Sequence, residues 1–500
     1  MKKTLYILSI ILITFNLSYS QQYVDNALIF SNNDYSGTAR FVGMGGAFGA
    51  LGGDFSAIAI NPAGLGVYRS SEFTFSPGMS YNSNSSTYIN NNIDESGYNM
   101  NFNNLGFVAS YDLENSDTRW VNFNFGVGFN RINDFNNKVQ FQGVNNSSLM
   151  EIYNIEANAI NSSDPYDLDG MYEFLIWDAY IMNYDTVAGE FYTNITDEIY
   201  LDADNFTINQ RKIIETEGSI SEFNFSFGGN YAHKLYVGAS IGITRLRYDE
   251  YSSHYEYETA SSPIPDLNGF DFRTHSKTEG TGYTMKFGAI FKPVDFFRVG
   301  ASLHLPTFYD LDQEFHNEVF GYFENPPVEH SKSPIQTYNY SLETPLRAVG
   351  SVGFQIGKIG LIDIDYEFAD YSKMSLDDEF SSDGVIEDNL YIKTIYQETH
   401  NIRAGAEFRA GNLYFRAGGR YSTSPYASES INKDFNEITL SGGIGYREKN
   451  FFIDFAFAQK STNYNTIAYD LNAYYSGYEN ELANIDNKLN KFILTIGFKL

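Results

Sequence analysis

The sequence predicts an all-β protein, namely a fourteen-stranded antiparallel transmembrane β-barrel. Three observations predict it: fourteen runs of about ten residues with strict apolar-polar alternation, connections that are alternately very short and long, and a composition suited to strands. Aromatic residues make up 17% of the chain, which has 42 glycines and only 12 prolines. Aromatic side chains favour strands and glycine favours tight turns.

The alternation is clearest in the run 121–129, where valine and phenylalanine share one face and asparagine and glycine the other. Very short connections such as Gly357-Lys358 follow the even-numbered runs, and long ones follow the odd-numbered runs. Short periplasmic turns and long external loops are typical of outer-membrane barrels. The runs are 71–81, 103–111, 119–131, 220–231, 236–248, 283–292, 297–309, 344–356, 359–371, 399–409, 413–421, 435–447, 451–460 and 488–500.

A soluble β-sandwich is the alternative, because its strands alternate as well. The polar faces of these runs carry glycine, serine, asparagine and charge, without the second apolar layer that a sandwich buries. Runs of this length can also cross an apolar band of about 25 Å when tilted. The last run extends to Leu500, as expected of a barrel-closing strand.

Charged residues in the C-terminal half fall on the polar faces of neighbouring runs. Asp363, Asp365 and Glu367 alternate with apolar residues in one run. A charge facing lipid near the midplane costs about 2–4 kcal/mol. We therefore expect an inward wall of cross-strand ion pairs, whose other members are Arg403, Glu407, Arg409, Arg416 and Arg420.

Charge and composition exclude several classes of function. The formal net charge of −29 would repel a nucleic-acid backbone, so no nucleic-acid partner is expected. The chain has no cysteine, which excludes a disulfide scaffold, a thiolate zinc site, a cysteine nucleophile and a lipoprotein anchor. The seven histidines show no metal-binding spacing, so no metal site is expected.

The N-terminus resembles a secretory signal. Lys2 and Lys3 precede the apolar run 5–15, and Ser18-Tyr19-Ser20 places small residues where a signal peptidase reads. This pattern predicts a signal peptide over residues 1–20, cleaved before Gln21. A retained anchor is the alternative, but the apolar run is shorter than the roughly 20 residues of a membrane-spanning helix.

Two regions lack the strand pattern: the glycine-rich segment 23–70 and the long loop 132–219. Asp164-Pro165 suits a helix start, and the residues after it follow helical spacing. Apolar side chains on this helical face and in a separate aromatic loop at 315–323 are candidates for capturing a lipophilic ligand, the alternative being packing of loops on one another. These capture candidates are Met171, Tyr172, Leu175, Met182, Phe315, Phe320, Tyr322 and Phe323.

Motifs for catalysis or nucleotide binding are weak. Residues 43–49 resemble a dinucleotide fingerprint but lack the third glycine and the strand before it. The acidic stretch 164–170 does not match an EF-hand register, and no G-x-S-x-G elbow occurs. Ser302 and His304 share an inward face, but this spacing on one strand is common. We therefore expect no catalytic residues and no enzyme activity.

The stretch before the first run carries the most specific motif. Asn61-Pro62-Ala63-Gly64 indicates a tight turn, because the residue before proline is held extended and glycine frees the exit. Together with Gly43 to Gly49, Asp54 and Ala57, this stretch resembles the FadL/TodX family of outer-membrane transporters for long-chain fatty acids and aromatic hydrocarbons. Later similarities, across nearly the whole mature chain, are 297–302 with Pro306, 403–408, and 415–418 with Pro425.

The resemblance implies a fourteen-stranded barrel (71–500) plugged by an N-terminal hatch (21–70). It also implies that a ligand passes from an external groove to a pocket in the barrel, and that hatch movement with a strand kink opens a lateral exit into the membrane. The implied hatch and gating residues are Gly43, Gly45, Asp54, Asn61, Pro62, Ala63 and Gly64. The chain departs from the family in its long loop, its unmatched pocket residues and its terminal Leu500.

The leading functional hypothesis is passive, cofactor-free uptake of a hydrophobic small molecule by a monomer among outer-membrane lipids. The alternative is a plugged porin-like or surface-binding outer-membrane protein, which the wet inward faces favour on the residues alone. The resemblance to the transporter family reverses that order.

Overall fold

The fold is a closed antiparallel barrel of fourteen wall strands with the N-terminal residues inside it. The structure, a computed structural model, describes residues 23–113, 118–203, 205–325, 327–378, 383–475 and 477–500. The expected signal peptide lies outside these residues. The first seven wall strands are β1 (Glu72–Tyr88), β2 (Asn91–Asp112), β3 (Trp120–Asp134, continued by Asn137–Asn145), β4 (Ile208–Tyr231), β5 (Leu235–Glu258), β6 (Gly269–Val294) and β7 (Phe297–His304, continued by Phe308–Tyr322).

The barrel closes between its first and last strands, whose register runs from Glu72↔Lys499 to Thr87↔Asn484. Every wall strand pairs antiparallel with its neighbours in sequence. The remaining strands are β8 (Gln336–Glu343, continued by Arg347–Ile356), β9 (Gly360–Asp370, continued by Ser375–Asp378), β10 (Glu398–Ala410), β11 (Leu413–Ser422), β12 (Glu437–Arg447), β13 (Phe451–Ile467) and β14 (Leu482–Lys499).

Several strands extend well beyond the alternating runs. The stretch 82–102, expected as a long connection, is instead the upper part of β1 and β2, joined by a two-residue turn at Ile89 and Asn90. Both turn residues have positive φ (44° and 60°), as a tight hairpin requires. The strand β4 likewise begins at Ile208, so the long external connection covers 146–207 rather than 132–219.

That external connection folds into a cap whose apolar core also includes side chains of β6 and β7, such as Phe270, Phe272 and Val319. It contains α3 (Leu149–Ala159), the short helix α4 (Glu173–Asp178), a hairpin of Met182–Asp185 and Glu190–Thr193, and α5 (Asn194–Leu201). The expected helix after Asp164 is therefore a 3-10 turn (Pro165–Asp167) and the single turn and a half of α4, while Met182 begins a strand.

Three further helices belong to the barrel interior and rim. Residues 23–31 form α1, Ala39–Gly43 forms α2, and Asp383–Ile395 forms α6 above β9 and β10. Short 3-10 helices occupy Phe55–Ala59, Pro62–Val67 and Tyr371–Lys373. Among the described residues, no helix is long and apolar enough to cross a membrane.

The outward side chains of the wall are apolar and exposed, whereas the inward polar ones are buried. On β13, for example, Phe451, Ile453 and Phe455 point outward while Asp454 is fully buried. An apolar outer band of this kind suits a lipid environment.

Candidate functional site

The N-terminal segment, residues 23–70, lies inside the barrel. It contacts a ring of eight inward-facing wall glycines, here called the glycine girdle. A Cβ atom at Gly238 would lie 2.3 Å from the carbonyl oxygen of Pro62, and one at Gly418 would lie 2.2 Å from the carbonyl carbon of Met44. At these two glycines the wall and the segment therefore touch backbone to backbone, whereas Gly106 and Gly128 face the Phe55 ring and Gly288 faces the Asn61 side chain. The girdle comprises Gly106, Gly128, Gly228, Gly238, Gly288, Gly300, Gly405 and Gly418.

The Asn-Pro-Ala-Gly turn connects the segment to itself and to the wall. The Asn61 side chain accepts a hydrogen bond from the Ala63 N–H and caps the 3-10 helix that starts at Pro62. Its amide nitrogen donates to the carbonyl oxygens of Gly49 (2.7 Å) and of Ala289 on β6 (3.2 Å). Gly64 lies against Gly52, where a side chain on Gly64 would come within 2.9 Å of the Gly52 Cα. One side chain thus joins two parts of the segment to β6.

Carboxylates of β9 hold the loop that follows Gly45. The N–H groups of Phe48 and Gly49 donate to Asp365 at 3.0 and 3.1 Å, and that of Ala50 donates to Asp363 at 3.3 Å. Gly45 itself has φ +67° and lies against the backbone of Gly419. The inward acids of β9 therefore bind backbone amides of the segment as well as arginines.

An ion-pair network links α2 to three wall strands. Arg40 forms two hydrogen bonds to Glu407 on β10 (2.9 and 3.0 Å), and Arg416 on β11 donates to Glu407 (2.7 Å) and to Asp454 on β13 (2.8 Å). Asp54 accepts from the Thr38 hydroxyl group at 2.8 Å. The inward ion-pair wall expected from the sequence is present. Arg409 is the exception, since it is exposed near a turn.

Replacing Glu407 by alanine is expected to lower the free energy of unfolding by about 3–5 kcal/mol, because Arg40 and Arg416 would lose their shared partner while buried. Thermal or urea unfolding in detergent measures the change. Glu398→Ala, at an exposed position on the same strand, is the matched control. Equal changes in the two variants would contradict a role for the network.

The wall is broken between β2 and β3. The two strands pair only from Asp112↔Asn122 to Asn104↔Asn130. Above that point β2 pairs with β1 alone and β3 pairs with β4 alone. Asn84 on the inner face of β1 donates to the carbonyl oxygen of Lys138, so the upper part of β3 lies on the lumen side of β1. We call this parting the wall break.

Residues 32–36 of the N-terminal segment lie against the wall break and are here called the seal segment. The N–H groups of Asp34 and Ser36 donate to the carbonyl oxygens of Ile132 and Arg131 on β3, each at 3.1 Å. The Ser36 hydroxyl group donates to Asn103 on β2 at 2.8 Å. The seal segment thus bonds to both edges of the break. Sequence reasoning did not identify it, because no motif marks these residues.

Above the girdle, α1 occupies an aromatic-lined chamber. Phe30 lies 5.5 Å from Tyr248 between ring centroids, and Tyr23 lies 5.2 Å from Tyr340. The Tyr396 hydroxyl group donates to the carbonyl oxygen of Val24. Apolar side chains of α1 therefore pack among aromatic rings inside the barrel. The aromatic lining comprises Phe135, Tyr248, Tyr309, Tyr340, Tyr371 and Tyr396.

The capture candidates lie mostly in the interior of the cap. Leu175 and Met182 belong to its core, Met171 is buried nearby, and Tyr172 is half-buried against Phe272. Phe315 is buried on the inner face of β7. At the rim, Phe320 stacks on His330, and Tyr322 and Phe323 are half-buried.

A groove of about 760 Å³ lies on the outer side of the wall, beneath α6. It adjoins the points where β7, β8 and β9 are each interrupted. Phe308 and Ile386 supply apolar surface, while Asp310, Glu343 and Asp377 supply carboxylates. Its charge suits a neutral ligand better than an anion.

Ser302 and His304 contact the N-terminal segment. The Ser302 hydroxyl group donates to the carbonyl oxygen of Ile60 at 2.6 Å, and the His304 Nε2 lies 2.8 Å from the same oxygen. Both side chains are therefore engaged in holding the segment. Within the described ranges, no group of three or more metal-ligating side chains is arranged to hold an ion.

Comparison with solved structures identifies the fold. The chain is similar to a FadL homologue of Pseudomonas aeruginosa (TM-score 0.54, 12% identity, covering 93% of this chain and 98% of the other). It is also similar to the toluene transporter TodX of Pseudomonas putida (TM-score 0.51, 12% identity, covering 93% and 98%). No protein-family model matches the sequence, and the search of curated proteins finds no match. The FadL-type fold expected from the sequence is confirmed.

Proposed function

We propose that the protein sits in the outer membrane and passively takes up hydrophobic molecules, either long-chain fatty acids or aromatic hydrocarbons. One observation carries the proposal: the N-terminal segment fills the lumen through polar contacts and also covers a break in the wall. A segment held by hydrogen bonds and ion pairs can exchange partners. Similarity to a FadL homologue and to a toluene transporter supports the same class of function.

In this mechanism the segment acts as a hatch, and the wall break is the lateral exit. With a rise of about 3.3 Å per residue and a tilt of about 40°, Asn104 lies roughly 20 Å above Asp112. The break therefore opens in the outer half of an apolar band about 25 Å tall. Met100 and Phe102, exposed on β2 beside the break, present apolar surface to a departing lipophile.

The chamber around α1 is the internal binding site in this proposal. A lipophilic ligand would take the place of α1 side chains between the aromatic rings, with comparable apolar contacts. At the cell surface, the cap and rim residues such as Phe320 and Tyr322 would bind the hydrophobic ligand first. Cleavage of the signal peptide before Gln21 and a monomeric state are parts of the same proposal.

Substituting Asn61 by alanine is expected to reduce uptake of labelled oleate or toluene by cells, because the turn loses its cap and its bonds to Gly49 and Ala289. Uptake is compared among cells with the wild type, the variant and no protein. Asn463→Ala, at an exposed position on β13, is the control for asparagine loss. Equal uptake in all cells would exclude transport and leave the alternative of a fixed, porin-like or surface-binding protein.

A further inference from the structure

Asp34, in the seal segment, is surrounded by three cations of the wall. Its Oδ2 lies 2.8 Å from the Nζ of Lys491 and 3.1 Å from the Nζ of Lys460, and its Oδ1 lies 3.6 Å from the Nη1 of Arg420. Burial alone would raise the pKa of Asp34, but Lys460, Lys491 and Arg420 hold it well below its usual range. We call these three residues the cation cluster.

The cation cluster has more positive than negative charge. Glu437 is its second acidic neighbour, 3.0 Å from Arg420 and 3.6 Å from Lys460. With Asp34 in place, three cations face two carboxylates. If Asp34 left without replacement, the cluster would retain one carboxylate, and buried charges without partners are costly. Departure of Asp34 therefore requires another anion.

Apolar surface adjoins the same carboxylate. A cavity of about 40 Å³ beside Asp34 is lined by Phe41, Val42 and Leu489 as well as by cluster residues. A second, smaller cavity on the other side of Asp34 is lined in part by Met79 and Ile493. Once Asp34 has left, a charged head group would find the cations here and the carbon atoms next to it would find apolar lining, whereas the rest of a long chain is too large for a cavity of this size. The outer groove beneath α6 lacks this arrangement, because carboxylates line it.

Asp34 also connects the cluster to the wall break. Its own N–H donates to Ile132, and Ser36 two residues later bonds to Arg131 and Asn103. Moving the Asp34 side chain away from the cluster therefore moves the chain that covers the break.

We propose that Asp34 is an internal counter-ion that the anionic head group of an apolar ligand replaces, and that this exchange releases the seal segment from the wall break. The inference rests on the proposed function and narrows it, because a neutral hydrocarbon cannot replace the lost charge. It assigns Asp34 as the trigger and Arg420, Lys460 and Lys491 as the head-group site for a long-chain carboxylate.

The test compares oleate with oleyl alcohol, which has the same chain and a neutral head, in equilibrium binding to the purified protein. The wild type is expected to prefer oleate. Asp34→Asn removes the competing carboxylate and is expected to raise that preference about tenfold. The double variant Lys460→Gln/Lys491→Gln is expected to abolish it. Asp486→Asn and Lys488→Gln, exposed on β14, are the matched controls.

Two outcomes of the binding test would contradict the proposals. A preference that is unchanged in both Asp34→Asn and the double lysine variant would overturn the inference while leaving uptake of lipophiles intact. Failure of the wild type to bind either compound would overturn uptake of long-chain lipophiles, which is the part of the proposed function that the inference narrows.

A single-cysteine variant tests the link to the wall break. Because the chain has no cysteine, Ser36→Cys introduces the only thiol. Ser36 is buried, so labelling by a water-soluble thiol reagent is expected to be slow and to accelerate with oleate but not with oleyl alcohol. Equal labelling with and without oleate would show that the seal segment stays in place and would contradict the exchange.

Discussion

In the double variant Gly43→Cys/Ala456→Cys, oleate uptake is expected to cease in the oxidised protein and to return after reduction. A Cβ atom on Gly43 would lie 3.6 Å from the Cβ of Ala456 on β13. That separation falls in the range of disulfide bonds, which centres near about 3.8 Å. The bond would join α2 to the wall and prevent the N-terminal segment from moving.

The cysteine-free background simplifies this experiment, since no other disulfide can form within the chain. Mass spectrometry of the non-reduced protein gives the cross-linked fraction, and the two single-cysteine variants control for the substitutions themselves. Uptake that continues at the wild-type rate in fully cross-linked protein would show that transport does not need movement of α2.

Alanine at Gly238 or Gly418 is expected to displace the N-terminal segment and make the barrel leak ions. The added Cβ would lie within 2.3 Å of the segment's backbone at either site, and neither backbone can yield without a shift of the segment. Overpacking of this kind costs about 1–3 kcal/mol per site. Conductance in planar bilayers is the direct measurement, and the open state should be more frequent than in the wild type.

Gly350→Ala is the matched control for the girdle, because Gly350 lies on β8 with no atom within 4 Å of an added Cβ. This variant should conduct like the wild type. Equal conductance in all three variants would show that the segment tolerates the added carbon atoms and that the girdle does not hold it.

The sequence predicts the barrel well because lipid and lumen impose opposite demands on alternate residues. Each of the fourteen alternating runs overlaps one of the fourteen wall strands. The prediction fails where strands leave the apolar band. Between 82 and 102 asparagine and serine occur on both faces of the strands, so the stretch resembles a loop. The start of helix α3 could have been predicted from its capping box, formed by Ser148 and Glu151. The search for alternating strand residues did not detect it.

The site is less accessible to sequence reasoning. The Asn-Pro-Ala-Gly turn can be recognised from the sequence, because it consists of four consecutive residues. Asp34 and Lys491 are 457 positions apart, and no local pattern links them. The sequence predicts that the charged residues of these strands face inward and form ion pairs, because a charge facing lipid is costly. The sequence does not predict which of these charged residues contact the N-terminal segment, because that depends on how the barrel closes.

The strand that closes the barrel also contacts the N-terminal segment. The hydroxyl group of Thr495 on β14 accepts from the Ala39 N–H at 2.7 Å, across 456 positions of sequence. Contacts so distant in sequence form late and slowly during folding. Until β14 arrives, both the seam with β1 and this part of the segment lack partners. Closure of the barrel and enclosure of the N-terminal segment are therefore coupled, because β14 supplies partners to both.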